Sequence, residues 1–224
     1  MINKSIKIKF KVDYKITKFF SDYRNFNNDI NSLLFEGKKE LKKIERKWKK
    51  IEKNVINLLN QIFKHPVNSS DITIYIFPEY FYIGSSETSK KVILYGQPSK
   101  TNFFAQAIIT HEICHIFLSC IYTKRPVIVD EIICCLFEDY IYSTYDSKDF
   151  CEIWYKCKLD NFHLAAYDFI TNNRDLSLKG LSSNFKNITQ LINIVISRLN
   201  PEIIKLKPQK GLINQLNSEF FTEI

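Results

Sequence analysis

Thr110-His111-Glu112-Ile113-Cys114-His115-Ile116-Phe117-Leu118 carries two histidines four positions apart, with a glutamate directly after the first, inside an apolar run. On a helix, residues four apart share one face, so His111 and His115 can aim two imidazoles at one point. That is how a helix presents two nitrogen ligands to a zinc ion, with Glu112 beside them to take a proton from an activated water. The chain has only four histidines (His65, His111, His115 and His163), so this spacing uses half of them.

Outward from this stretch, residues 102–121 read as one helix. Phe103, Phe104, Ala107, Ile108 and Ile109 precede the motif and Ile116, Phe117 and Leu118 follow it, so the helix is apolar on most sides and central. Upstream, the β-branched and aromatic residues 72–77 predict a strand that stops at Pro78, and residues 91–96 predict another. Residues 80–84 read as a possible continuation of that ribbon, and Ser85 to Ser89 as a polar loop. Further back, Leu41, Ile44, Trp48, Ile51, Val55, Leu58 and Ile62 step by three and four residues alternately. That spacing predicts one long amphipathic helix of about 25 residues. Residues 16–34 read as helix. Residues 5–12 alternate Ile6, Ile8, Phe10 and Val12 with Lys7, Lys9 and Lys11, the pattern of a half-buried strand.

Downstream, Lys124-Arg125-Pro126 closes the motif helix, and residues 127–142 read as the next helix, with Pro126 suited to its first turn. Further helices are expected near 150–158, 162–171, 188–199 and 211–221. The fold class expected is therefore α+β and predominantly helical, with a small N-terminal mixed sheet packed on the H-E-x-x-H helix and a helical C-terminal part. One domain over residues 1–224 is expected. Residues 1–66 supply the N-terminal strand and long helices, 67–145 the sheet and motif helices, and 146–224 the helical C-terminal part.

Composition narrows the function classes. The 224 residues are 45% hydrophobic and 25% charged, ordinary for a chain that buries a core. The net charge of +8 invites a nucleic-acid reading, but much of the lysine falls between Lys38 and Lys53 with acidic residues interspersed. A solvated helix face explains that pattern, no recognition motif accompanies it, and a nucleic-acid partner is not expected. The six cysteines form no C-x-x-C pair. No secretory signal and no run of about 20 apolar residues is present, so a cytoplasmic protein without a membrane span and with reduced thiols is expected.

Two histidines leave a zinc site short of a third protein ligand. His65 lies in a turn, and His163, 48 residues after His115, suits a structural or substrate-contacting role. A carboxylate from the next helix is the better candidate. Glu131 and Glu138 are seven residues apart, share a face, and both sit among apolar neighbours, where a carboxylate is costly without a cationic partner. Either could serve. Cys114, Cys134 and Cys135 read as small buried fillers.

His111-Glu112-Ile113-Cys114-His115, then Val129-Asp130-Glu131-Ile132-Ile133-Cys134-Cys135-Leu136-Phe137-Glu138, resembles the gluzincin branch of zinc metallopeptidases, whose fold is zincin-like. Those enzymes carry the third ligand in an N-E-G-x-A-x-x-L-E-like segment. Matched position by position, the resemblance implies Glu131 as that ligand, with Asp130 in place of the Asn and Glu138 as the alternative ligand. Ile132-Ile133-Cys134 stands where the family has Gly-x-Ala, so the likeness is to the clan and not to a subfamily. It covers residues 40–142, and residues 148–224 carry none.

The resemblance implies a zinc metallopeptidase binding one Zn²⁺ through His111, His115 and Glu131, with Glu112 as general base and then acid toward a peptide or protein substrate. It also implies that the strand just before the motif helix, residues 92–96, is an edge strand that pairs with substrate backbone. An oxyanion-stabilising residue would come from Tyr140, Tyr142, Tyr145, Tyr155, His163 or Tyr167. Two alternatives stay open: a regulatory protease that cleaves a repressor, and a zincin-fold interaction protein without activity.

Overall fold

The computed structural model describes residues 6–23, 29–64, 71–77, 84–88, 92–96, 105–121, 124–146, 161–178 and 186–208. Its strands are β1 (Ile8–Lys11), β2 (Ile72–Ile76), β3 (Gly84–Glu87) and β4 (Val92–Tyr95). Its helices are α1 (Tyr14–Tyr23), α2 (Ile30–Trp48), α3 (Glu52–Phe63), α4 (Ala105–Ser119), α5 (Val127–Ile141), α6 (Asn161–Asn172), α7 (Ile188–Arg198) and the short α8 (Pro201–Ile204). The fold is α+β and mostly helical, as the patterning predicts.

The sheet is mixed, in the order β1-β2-β4-β3. β1, β2 and β4 run parallel, with Phe10 opposite Ile74 and Tyr75 opposite Leu94; β3 closes the sheet antiparallel to β4. Alternation along the strands sends side chains to two faces. Ile72, Ile74, Ile76, Ile93 and Tyr95 join the main core with α2 to α7. Tyr75, Phe77, Val92 and Leu94 turn the other way, under Ile16 and Phe20 of α1. Gly37 lets α2 lie close on this sheet, because a Cβ there would stand 3.2 Å from the Val12 side chain.

Three expectations are corrected. Residues 92–96 do not form an edge: β4 lies between β2 and β3, and its Val-Ile-Leu-Tyr run is buried on both faces. The edge on that side is β3, Gly84–Glu87, most of which falls in the stretch Ser85 to Ser89 that read as a loop because Ser-Ser-Glu has no strand propensity of its own. Second, the long helix divides. Lys50 and Ile51 bond back only three residues, to Lys47 and Trp48, and α3 starts afresh at Glu52. That tight step keeps Trp48, Ile51 and Val55 buried in the same core, which is why the apolar stripe runs through the break unaltered. Third, residues 16–34 are not one helix: α1 ends at Tyr23, and Asp29 caps α2 by accepting from the Asn31 and Ser32 amides. The expected helices at 150–158 and 211–221, and any strand at 80–83, lie outside the described residues.

α4 and α5 form the centre. α4 packs against β3, β4, α2, α3 and α5, and α5 also carries α6 and α7. Arg125 fixes the turn between them. Its guanidinium donates to the carbonyls of Leu118 (2.8 Å), which also accepts from the Ile121 amide, and of Ile121 (3.1 Å), and to Asp130 in the first turn of α5. Asp130 is thereby held on the turn. No described helix is long and apolar enough to cross a membrane.

Candidate metal centre

Most of α4 and α5 is apolar, yet His111, Glu112, Glu131 and Glu138 are all buried, at 8%, 7%, 6% and 0% relative exposure. Groups of this kind need partners when withdrawn from water. His111, Glu131 and Glu138 find them in one another and in His115. The Nε2 atoms of His111 and His115 are 3.2 Å apart. The Glu131 carboxylate faces both, with Oε1 3.6 Å from His111 Nε2 and Oε2 3.5 Å from His115 Nε2. From α6, His163 Nε2 comes within 3.8 Å of Glu131 Oε1.

The second nitrogen of His111 meets a different set. Glu138 Oε2 lies 3.2 Å from His111 Nδ1, and the Cys135 thiol lies 3.9 Å from that nitrogen and 3.7 Å from Glu131 Oε1. Glu138 Oε1 is buried without a protein hydrogen-bond partner. Glu131 and Glu138, seven residues apart on one face, therefore do not face the same part of the imidazole. Glu131 faces the Nε2 pair and Glu138 stands behind the His111 ring.

Charge follows this geometry. Burial opposes protonation of His111, but Glu131, Cys135 and Glu138 override it and hold the imidazole well above its ordinary value. Burial pushes Glu131 up, yet His111, His115 and His163 together pull its carboxyl far below the usual range. Glu138 is pushed up, chiefly by burial, with His111 offsetting part of the effect. Burial, reinforced by Glu131, likewise raises the Cys135 thiol and keeps it protonated.

These residues could hold a metal ion. His111, Glu131 and Cys135 can bring one ligand atom each within 4.8 Å of one another, and so can His111, His115 and Cys134. Two observations test the fit. The contacts of Glu131 with the imidazoles, 3.5–3.8 Å, are longer than well-formed N–H···O bonds, which cluster near about 2.9–3.0 Å. They are also somewhat longer than the edge of a tetrahedral nitrogen and oxygen site, about 3.3–3.4 Å, and run through two oxygens, Oε1 to His111 and His163 and Oε2 to His115. The donor types, imidazole and carboxylate with thiols adjacent, are also those that bind metal ions. The residues fit a metal.

Of the other sequence candidates, Tyr142 is fully buried and Tyr145 accepts a hydrogen bond from the Asn54 amide at 2.9 Å. Tyr167 is buried beside Cys135. Tyr155, His65, Cys151 and Cys157 lie outside the described residues. Sequence reasoning missed the orienting position of Glu138 and the approach of Cys135 and His163. For Cys135 a signal existed, since it follows Glu131 by four residues on the same helix face. For His163 only its scarcity as a residue type could have pointed to it.

No protein-family model, curated protein or solved structure matches this chain.

Proposed function

We propose that this chain is a zinc-dependent peptidase, a single zincin-like domain of gluzincin type, with His111, His115 and Glu131 as metal ligands and Glu112 as general base. The observation that carries this reading is the placement of the Glu131 carboxylate opposite the Nε2 atoms of both motif histidines. When bound, zinc would lower the pKa of a water toward about 7 and polarise a carbonyl oxygen. Glu112, next to His111 in sequence, takes the proton of the attacking water and returns it to the departing amine. Glu138 holds the His111 ring by accepting from Nδ1–H, which leaves Nε2 free as a donor to the metal. β3 is the open strand edge beside α4 among the described residues, and an extended peptide can add to it by backbone pairing.

Metal analysis of the purified chain and its variants tests the reading. About one zinc per chain is expected, lost in Glu131→Ala and kept in Glu112→Gln. Glu112→Gln should abolish cleavage across a peptide library that the native chain hydrolyses. Zinc lost from Glu138→Ala but kept by Glu131→Ala would exchange the roles of the two glutamates. Zinc bound with no Glu112-dependent cleavage would leave a metal-stabilised interaction protein.

A further inference from the structure

We infer that the His111 imidazole also serves an inward seat for a soft metal ion, with Cys135 Sγ, His111 Nδ1 and Glu131 Oε1 as ligands. Its effect on zinc rests on the site proposed above, with which it shares His111 and Glu131. Cys135 follows Glu131 by four residues and Glu138 follows it by seven, so α5 turns all three toward the His111 ring of α4. The Cys135 thiol lies 3.9 Å from His111 Nδ1, the nitrogen turned away from His115, and 3.7 Å from Glu131 Oε1. One ligand atom from each of His111, Glu131 and Cys135 falls within 4.8 Å of the other two. Beside them Glu138 is fully buried: its Oε2 lies 3.2 Å from the same Nδ1, and its Oε1 has no protein hydrogen-bond partner.

A buried carboxylate with an oxygen left unpartnered calls for positive charge, and an ion held at Nδ1 would supply it. The separations indicate which ion. A tetrahedral zinc site has a sulfur-to-nitrogen edge of about 3.5 Å. The distances of 3.7 and 3.9 Å leave room for a larger ion, and a thiolate favours a softer one. Cadmium has both properties. Cys135 would bind as thiolate, its proton passing to solvent. One neutral ring cannot serve both seats, because coordination through Nδ1 leaves the imidazole proton on Nε2, which then cannot ligate beside His115. A soft ion inside therefore withdraws His111 from the outer site and displaces zinc.

Titration of the full chain with Cd²⁺, both metal-free and loaded with Zn²⁺, tests this. The first equivalent of Cd²⁺ should displace zinc from the native chain and bring up the ultraviolet absorption of a thiolate–metal bond. His115→Ala should show the same absorption. Cys135→Ala should lose it, release one proton fewer on binding, and hold Cd²⁺ at least about 100-fold more weakly, since disturbing even a ligand's orienting partner costs about 10–100-fold. Absorption that persists in Cys135→Ala, or that is lost instead in Cys134→Ala, would overturn the inward seat and, with zinc still bound through His115, leave the outer site standing. Zinc binding untouched by His115→Ala, with the cadmium absorption intact, would overturn the outer site alone. If Cys135→Ala lowers the thermal midpoint of the metal-free chain, Cys135→Ser carries the same comparison at retained size, because its oxygen gives no sulfur absorption.

Discussion

α2 and the α4–α5 pair both contain many ionisable residues and handle them in opposite ways. On α2 the charges lie in water. Lys43 reaches Glu40 at 2.9 Å and Lys49 reaches Glu45 at 3.2 Å, with the lysines more than half exposed. Such pairs contribute about 0.2–1 kcal/mol at most, and the side chains can be exchanged with little consequence. On α4 and α5 histidines and glutamates are buried around the His111 ring, where each ion withdrawn from water costs several kcal/mol unless it is matched. A lysine run on a helix therefore carries little information about function. A glutamate in the middle of Val129-Asp130-Glu131-Ile132-Ile133 carries a great deal, because something must offset its burial.

α3, which continues the chain from α2, packs on the α4–α5 pair through Phe63, and truncating that ring gives the largest effect expected. Its centroid is 5.3 Å from that of Phe117 on α4 and 6.0 Å from that of Phe137 on α5. Phe63→Ala should lower unfolding free energy by about 3–5 kcal/mol in urea melts, the usual loss for an aromatic removed from a packed core. A loss below about 1 kcal/mol would mean that α3 is a peripheral layer and not part of the core that positions the metal centre.

Glu138→Gln asks whether the buried charge serves folding or the metal. The amide can still accept from His111 Nδ1, and it removes a fully buried carboxylate one of whose oxygens has no protein partner. The metal-free chain should be as stable as before or more so, because burying a neutral amide costs less than burying an ion. Zinc affinity should fall about 10–100-fold, the usual effect of weakening the partner that orients a ligating histidine. Lower stability with unchanged affinity, measured by thermal melts and metal titration, would assign Glu138 to folding.

How much was legible follows from the same contrast. Burial patterns read well: the strand and helix character of residues 72–77 and 127–142, and the central place of the motif helix, follow from apolar spacing that only a core can satisfy. The run Val92-Ile93-Leu94-Tyr95 does not alternate, as an edge strand with one wet face would, but that absence of alternation went unused and the strand was expected at an edge. The family likeness pulled the other way, toward an edge. What could not be read were features set by backbone hydrogen bonding. The step at Lys50 and Ile51 leaves the apolar stripe intact, and β3 becomes a strand through pairing with β4 alone. For the site, His111, His115 and the two glutamates were visible as a set because helix geometry links them locally. His163 was named only as a substrate-contacting or oxyanion-stabilising candidate, and its approach to Glu131 was not legible, since that depends on how α6 docks, which no local spacing encodes.

The smallest effect expected lies far from the centre, where a solvated pair tests the other half of the contrast. The Arg198 guanidinium at the end of α7 grips Asp175 through two bonds of 2.8 and 2.9 Å, with both side chains substantially exposed. The hydrogen bond from Arg198 holds the Asp175 carboxyl below its ordinary 3.8. A carboxyl depressed in the folded state adds stability above its unfolded pKa and loses it as pH falls through the folded value. Asp175→Asn should therefore lower the thermal midpoint slightly at neutral pH, by less than either substitution above. The difference from the native chain should shrink to nothing in acid, once Asp175 is protonated in both states. It should also shrink with added salt, which screens an exposed pair. A difference that persisted in acid and in high salt would show that Asp175 acts through the short turn Arg174–Leu176 and not through its charge, and the division between solvated and buried ionisable groups would then need redrawing at this end of the molecule.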